Sequence, residues 1–228
     1  MFAHSPKIVT DGLVLALDAG NTKSYVSGST TWFDKSGFAN NGTLVNGPTF
    51  SSANGGSIVF DGVDDRVNNT NLLAFGNNPR TMELWLKGTG TNQIPFSFGY
   101  GGGANTAFAL NIASTTTINI YGQTDPRDEN NISVSVNFAN GAWHQVVVTW
   151  NGADPGTLLI YGDGNQVGTR TRSAGQFYST LAGYYVAGWS DSNRFYNGQI
   201  AVARIYNRAL SASEISQNFN ALRGRFEI

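Results

Sequence analysis

The clearest metal-binding pattern in the sequence is a short acidic segment, Asp61-Gly62-Val63-Asp64-Asp65. Ca²⁺ takes roughly six to eight oxygen ligands from carboxylates, backbone carbonyls and water. The segment places three carboxylates within five residues and would supply part of such a set. The same residues also fit a plain turn, with Asp61-Gly62 making the bend and Asp64 and Asp65 solvated. The sequence therefore suggests a cation site and leaves the turn as its alternative.

Glycoside hydrolysis would need two carboxylates roughly 5 to 10 Å apart across a groove. The chain has four glutamates: Glu83, Glu129, Glu214 and Glu227. Glu83 shares its predicted strand face with Trp85 and Lys87 and not with a second acid. The pattern therefore predicts that Glu83 is an exposed strand residue and not a catalytic one.

A hydrolase with an activated nucleophile is equally hard to assemble from this chain. Cysteine is absent, and His4 and His144 are the two histidines that could act as a base. His144 begins a central strand beside Trp143, which predicts a semi-buried histidine with its hydrogen bonds satisfied. We therefore predict that the protein is not an enzyme.

Three loop segments carry the residue types that recognise sugars: 99–105, 123–130 and 189–194. An aromatic face can cover the apolar side of a sugar ring, while planar amides and carboxylates bind its hydroxyls. The candidate ligand-binding residues are Tyr100, Asp125, Trp189, Asn193 and Arg194. Ordinary polar connections that make protein–protein contacts are the alternative.

Closely spaced turns indicate the elements that must position these residues. Asn-Gly and Asp-Gly pairs, which tolerate the positive φ of tight hairpins, recur from Asp11-Gly12 to Asn197-Gly198. The runs of strand character between them are 13–18, 42–45, 57–60, 81–87, 95–100, 107–112, 117–121, 133–138, 143–150, 158–161, 166–171, 184–188 and 198–206. Many short strands without intervening helices predict an all-β, two-sheet antiparallel sandwich.

Side-chain periodicity assigns faces to some of these elements. Met82, Leu84 and Leu86 alternate onto one face of their strand, which predicts that this face is core. Both faces of 143–150 are apolar, as in a central strand covered on two sides.

The end of the sequence predicts one helix. Ser211 and Glu214 form a capping-box pattern that starts a helix over 211–223, and Gly224 is expected to end it. Ile215, Phe219 and Leu222 are spaced to pack one face of this helix on the sandwich.

Bulk composition limits the partners and the setting. The 228 residues fit a single domain, 1–228, with an N-terminal arm at 1–11. The net charge is −1 and the basic residues are scattered, which disfavours nucleic acid. The apolar run 13–17 is too short for a signal-peptide core or a membrane span, so we expect a soluble chain made in the cytoplasm, without membrane insertion.

The sequence resembles the laminin-G-like, concanavalin A-like jelly-roll family. The resemblance rests on ordered segments: the opening 13–19 with Trp32 and 41–44, the acidic turn 59–65, the central hairpin 143–149 with 158–164, and the last strand and exit 198–211. It implies a jelly-roll sandwich. Because calcium commonly lies at a sandwich rim in this family, the resemblance also implies a Ca²⁺ site made by Asp64 and Asp65 with Asp191 or Asn193 from a later loop.

The first segment together with 210–220 is similar to structural proteins of tailed bacteriophages. This similarity implies a non-catalytic structural or adhesion module on the virion surface. Its partners would be host-surface glycan or a neighbouring virion protein, and homo-oligomerisation stays open. The alternatives are a calcium-dependent lectin domain unrelated to virions and a glycosidase that acts on polysaccharides.

Overall fold

The computed structural model describes residues 6–69, 75–99, 107–121, 130–153, 155–171, 183–189 and 194–228. Over these residues the chain forms sixteen strands, one 3-10 turn at Ala53–Gly55 and one α-helix. The strands are arranged in two antiparallel sheets. The predicted all-β sandwich with a single C-terminal helix is therefore confirmed.

The first sheet carries the helix on its outer face. Its spatial order, within the described residues, is β14 (Asn165–Thr171), β13 (Thr157–Gly162), β12 (Trp143–Trp150), β7 (Arg80–Gly88), β16 (Asn197–Tyr206), β5 (Ser57–Asp61) and β4 (Thr49–Ser51). β16 is long enough to have two partners on one side. Its first half pairs with β5, and its second half pairs with β1 (Leu13–Asp18).

The second sheet also has eight strands in the part of the chain that is described. Its order is β11 (Asn130–Ser133), β10 (Thr117–Tyr121), β9 (Ala107–Ser114), β8 (Gln93–Gly99), β15 (Tyr184–Val186), β6 (Arg66–Asn69), β3 (Gly42–Val45) and β2 (Thr31–Trp32). Connections such as β3 to β4 and β5 to β6 cross from one sheet to the other. One side of the sandwich is therefore bounded by β2 and β4.

The main core lies between the two sheets. The predicted face of β7, Met82, Leu84 and Leu86, belongs to it, and Phe96 and Phe98 of β8 approach from the opposite sheet. All five side chains are fully buried. Alternation along each strand explains this arrangement, because every second side chain of a strand points to the same face.

β12 is buried along its whole length, as predicted. Its even-numbered valines enter the main core, and Val147 packs in a second apolar cluster on the outer face of the first sheet. β13 and β14 follow as a hairpin whose turn is Asp163-Gly164, with φ of 51° and 79°. These positive values are those that a tight hairpin turn needs.

The helix α1 (Ala212–Phe226) covers the outer face of the first sheet. The capping box of Ser211 and Glu214 is formed, which confirms the predicted start. The predicted end at Gly224 is wrong. The last turn continues because Phe226 stacks on Trp85 with ring centroids 4.4 Å apart, and Glu227 adopts the left-handed cap.

Two other features differ from the prediction. The predicted strand 133–138 is wrong, since β11 ends at Ser133 and the chain then turns. β2, β4 and β6 were not predicted, because each contains a single apolar residue, Trp32, Phe50 or Val67, which is too few for an alternation signal. Within the ranges described above, no helix has the length and apolar character needed to cross a membrane.

Candidate functional site

A polar cluster lies on the outer face of the second sheet, on β9 and β10. In β9, Phe108 and Leu110 point into the main core. Asn111 therefore lies on the outer side, and so does Asn119 in β10, whose neighbours Ile118 and Ile120 are core residues. Strand register places Asn119 directly opposite Asn111.

The amides of this cluster converge on one tyrosine. The Nδ2 atoms of Asn111 and Asn119 donate to the hydroxyl oxygen of Tyr121 at 2.7 and 3.3 Å. Asn111 is fully buried and Asn119 is 6% exposed. Among the described residues, neither Oδ1 atom has a hydrogen-bond partner. Asn131 of β11 lies opposite Asn119 and extends the row of amides to an exposed position.

Two residues predicted from the sequence lie beside this cluster. The ring of Trp189 is 6.1 Å from that of Tyr121, and the guanidinium carbon of Arg194 lies 5.1 Å from the Tyr121 ring centroid. The backbone around Arg194 is fixed to the sheet, because the N–H of Ile94 donates to its carbonyl oxygen at 3.0 Å. Aromatic, cationic and amide groups thus meet on one face.

Trp189 is less accessible than a sugar-stacking residue usually is. It is 6% exposed and packs with Ile94, Ala107 and Ala109, so Tyr121 is the more accessible ring of the pair. The other predicted ligand residues, Tyr100, Asp125 and Asn193, lie outside the described residues. In sequence, Asp125 follows Tyr121 by four positions and Asn193 precedes Arg194.

The sequence contained a signal for the amides that the prediction missed. In Asn111-Ile112 and Thr117-Ile118-Asn119-Ile120-Tyr121, polar residues alternate with core residues on two consecutive strands. Such a pair of strands forms a hairpin, which places the polar positions side by side. The predicted sugar-binding residues were all taken from loops, so these polar positions on the strands were not included.

The acidic turn between β5 and β6 brings its three carboxylates together. Oxygens of Asp61, Asp64 and Asp65 lie within 4.8 Å of one another. Oxygens bound to one Ca²⁺ at roughly 2.3 to 2.6 Å can be no more than about 5 Å apart. The spacing of these three side chains therefore fits a calcium ion. Asp191, the fourth predicted ligand, lies outside the described residues.

The hydrogen bonds of the turn use part of this ligand set. Oδ1 of Asp61 accepts the N–H of Val63 at 2.8 Å, and this bond contributes most to lowering the pKa of Asp61. Oδ2 of Asp65 accepts the N–H of Asp61 at 3.2 Å. Burial raises the pKa of Asp65, and the charges of Asp61 and Asp64 raise it further. A bound cation would relieve this crowding of negative charge.

Glu83 is not the exposed residue that the sequence predicted. It is completely buried between the first sheet and α1, where Oε1 forms an ion pair with Nη1 of Arg204 at 3.1 Å. Gln145 and Asn218 also donate to its carboxylate, at 2.9 and 2.8 Å. The prediction failed because the helix that covers this face is distant in sequence. In this position Glu83 holds the helix and has no access to substrate.

His144 is a satisfied, semi-buried histidine, as predicted. It is 8% exposed, with Nδ1 2.8 Å from Oδ2 of Asp163 and Nε2 3.1 Å from Oδ1 of Asn140. Nδ1 is therefore held by the hairpin turn between β13 and β14, and Nε2 by the turn that precedes β12. Among the residues that the structure describes, no nucleophilic side chain is hydrogen-bonded to the ring.

Comparison with protein families places the chain in one superfamily. The model of the concanavalin A-like lectin/glucanases superfamily matches residues 60–216, which is more than half of the chain. No curated protein sequence was found to match. The matched range contains the acidic turn and the amide cluster, and it begins after β1 to β4.

Solved structures with the same fold are binding domains or parts of larger proteins. The binding domain of Paraclostridial Mosquitocidal Protein 1 is 14% identical, with a TM-score of 0.71 over 93% of this chain and 52% of that one. Domain 4 of AbnA, a GH43 extracellular arabinanase from Geobacillus stearothermophilus, is 16% identical (TM-score 0.68, covering 90% and 97%) and was solved with arabinotriose.

Trypanosoma rangeli sialidase, in complex with 2,3-difluorosialic acid, is a third similar structure. It is 16% identical, with a TM-score of 0.63 over 93% of this chain and 33% of the sialidase. The present chain thus spans about half of the mosquitocidal binding domain, a third of the sialidase and nearly all of the arabinanase domain. At these identities the similarity shows a common fold.

Proposed function

Because the chain belongs to the concanavalin A-like lectin/glucanase superfamily, we propose that it is a non-catalytic carbohydrate-binding domain. The proposed site is the outer face of the second sheet around Tyr121. One observation carries the proposal: the half-buried ring of Tyr121 is fixed by two amides and contacted by Arg194, beside a row of amides that reaches an exposed position at Asn131.

The row of amides favours a hydroxyl-rich ligand. It runs from the buried Asn111 and Asn119 to the exposed Asn131. Sugar hydroxyls donate and accept hydrogen bonds, so a glycan that lies on Tyr121 would meet the amide of Asn131, while Asn111 and Asn119 stay buried and hold the tyrosine in place.

Tyr121 would supply the surface for the apolar face of the sugar ring. Its hydroxyl is held by two amides, which fixes the ring in place before the ligand binds. A pre-organised group loses little conformational entropy on binding. Arg194 lies against the same ring, so its guanidinium places positive charge at the edge of the site.

The described part of this cluster supports binding and not hydrolysis. None of its described side chains, Asn111, Asn119, Tyr121, Trp189 and Arg194, is acidic, whereas glycosidases use a pair of carboxylates. Glu83, the glutamate first considered for catalysis, is buried in the other sheet. Turnover of any member of a polysaccharide panel would contradict the non-catalytic assignment.

The structural setting that we propose is the surface of a bacteriophage particle. This part of the proposal is supported by the sequence resemblance of the opening segment and of residues 210–220 to tail and capsid proteins. The partner would be host-surface glycan or a neighbouring virion protein. Mass spectrometry of purified particles tests this assignment, and the absence of the protein from such particles would refute it.

We also propose that Ca²⁺ binds at the acidic turn, with Asp64 and Asp65 as ligands and Asp191 contributed by the later loop. The observations that support it are the 4.8 Å clustering of Asp61, Asp64 and Asp65 and the raised pKa of Asp65. β16 begins at Asn197, directly opposite Asp61. The chain that follows Asp191 therefore reaches this turn within six residues.

The test of the binding function begins with a glycan array and continues with calorimetric titrations of the highest-ranked glycan, alongside arabinotriose and 3′-sialyllactose. Replacing Tyr121 by Ala and Asn119 by Ala should each weaken binding at least tenfold, about 1.4 kcal/mol. Asn165→Ala, at an exposed position of β14, is the matched control and should bind as the wild type does. Unchanged affinity in both site variants would refute the proposed site.

A further inference from the structure

A groove of about 370 Å³ opens at the side of the sandwich bounded by β2 and β4, away from the amide cluster. Three segments form it: the connection from β1 to β2, the end of β3, and the turn that leads into β4. Its walls are formed by Tyr25, Ser27, Gly28, Ser29, Thr30, Leu44, Gly47, Pro48, Thr49 and Phe50. Volumes of this order suit a small-molecule site.

The aromatic side of the groove is fixed by packing. Phe50 is half-buried and lies 5.5 Å from Tyr25, and Tyr25 packs edge-on against the fully buried Trp32 at 6.5 Å. The hydroxyl of Tyr25 donates to the carbonyl of Ser29 at 3.1 Å. The rings are therefore held by the core and by the loop, so a ligand would meet a preformed aromatic wall.

The opposite wall is also ordered by hydrogen bonds. Ser29 Oγ donates to the carbonyl of Thr31 and accepts its N–H, both at 3.0 Å. The N–H of Leu44 donates to the carbonyl of Thr30 at 2.8 Å, which ties the loop to β3. Gly28 and Gly47 have φ of 85° and 105°, and no atom lies within 4 Å of where their Cβ atoms would be. Glycine is therefore favoured at these two turns by the positive φ and not by a steric contact.

The chemistry of the walls selects the ligand class. Five lining residues carry hydroxyl groups, and no lining residue carries a charge at neutral pH: Tyr25 is the ionisable one among them, and burial raises its pKa further above neutrality. A charged ligand would lose hydration without gaining a counter-charge. A wholly apolar ligand would desolvate hydroxyls without replacing their hydrogen bonds.

We infer that this groove is a second carbohydrate site, which takes an uncharged sugar residue with its apolar face toward Phe50 and its hydroxyls toward Ser27, Thr30 and Thr49. The site is separate from the cluster around Tyr121 and does not depend on it. A domain with two sites on different faces could bind two parts of one glycan, or two chains, and so gain avidity.

The experiment follows the backbone amides of Gly28, Thr30 and Thr49 by NMR in the ¹⁵N-labelled full chain. The probes are cellotriose, maltotriose, xylotriose and arabinotriose, with glucuronic acid and a proline-rich peptide as comparison ligands. We expect saturable shifts at these amides, with a millimolar Kd, for at least one neutral trisaccharide. Absence of saturable shifts with all four, or tighter binding of either comparison ligand, would overturn the inference.

Variants separate the two sites. Thr49→Trp fills the groove from an exposed position and should weaken the groove binding at least tenfold, whereas Thr43→Trp, an exposed threonine of β3 that does not line the groove, should leave it unchanged. Tyr121→Ala should also leave it unchanged, even if it abolishes binding at the other site. Loss of the groove shifts in Tyr121→Ala would refute a separate site. If Thr49→Trp fails to fold, as judged by loss of its dispersed NMR spectrum, Ser27→Trp is used in its place.

Discussion

Replacing Glu83 by Gln gives the sharpest test of how this domain is held together. The carboxylate of Glu83 is completely buried and accepts three hydrogen bonds, from Arg204, Gln145 and Asn218. The amide has one oxygen and one NH₂ group, so one of these donors would face another donor. Arg204, 3% exposed, would keep its charge without its anionic partner.

The expected loss of stability follows from this burial. Removing one partner of a buried ion pair destabilises a protein by about 3 to 5 kcal/mol, because the remaining charge stays uncompensated. Burial opposes the charge of Arg204, yet its pKa is raised, chiefly by the charge of Glu83, so the two charges depend on each other. Domains have total stabilities of about 5 to 15 kcal/mol. Glu83→Gln should therefore remove a large share of the stability.

Urea unfolding followed by circular dichroism measures this loss, with Asp11→Asn as the control. Asp11 pairs with Arg208 at 2.8 Å but is 84% exposed, so its loss should change the stability by less than about 1 kcal/mol. The double variant Glu83→Gln with Arg204→Met removes both charges and should recover most of the loss. A change below about 1 kcal/mol in Glu83→Gln, or a double variant no more stable than the single one, would refute this reasoning.

Three further predictions concern pH, calcium and packing. Hydrogen bonds from Arg208 lower the pKa of Glu214 to about 2, so its stabilisation is present above its ordinary pKa of 4.5 and is lost between there and pH 2. Glu214→Gln should therefore lower stability by about 1 to 2 kcal/mol at pH 7 in urea titrations, and a difference from wild type that persists at pH 2 would contradict this origin. Calcium at 1 mM should raise the melting temperature of the wild type but not of Asp65→Asn, and an unchanged wild-type melt would count against the ion. Gly156→Ala places a Cβ against the buried ring of Trp150 and should destabilise the domain by about 1 to 3 kcal/mol in the same urea assay, so a neutral result would show that the ring moves freely.

Glu83 and Trp189 show why the chemistry of single residues was harder to predict than the fold. Alternation along β7 correctly placed Met82, Leu84 and Leu86 in the core. It did not predict whether another element covers the opposite face of the strand, which carries Glu83. That cover comes from α1, whose Asn218 lies 135 positions after Glu83. Burial of a strand's second face is a property of the tertiary structure and leaves no local trace.

The sequence by itself determined most of the longer strands and the start of the helix, but not β2, β4 or β6. The signals used were local: turn pairs, alternation over five or more residues, and the capping box of Ser211. Because each involves only neighbouring positions, it can be recognised without knowing the fold. The same local patterns located the acidic turn, whose three carboxylates do lie together.

Only the tertiary structure decided which side chains meet. Strand register places Asn111, Asn119 and Asn131 in one row. The fold also brings the ring of Tyr121 to 6.1 Å from that of Trp189, which is 68 positions away in the sequence. The groove at the side of the sandwich likewise exists because the chain crosses between the sheets after β3. Sheet order and register depend on burying the apolar faces of all strands together. The positions of the amide cluster and of the groove therefore depend on the whole fold.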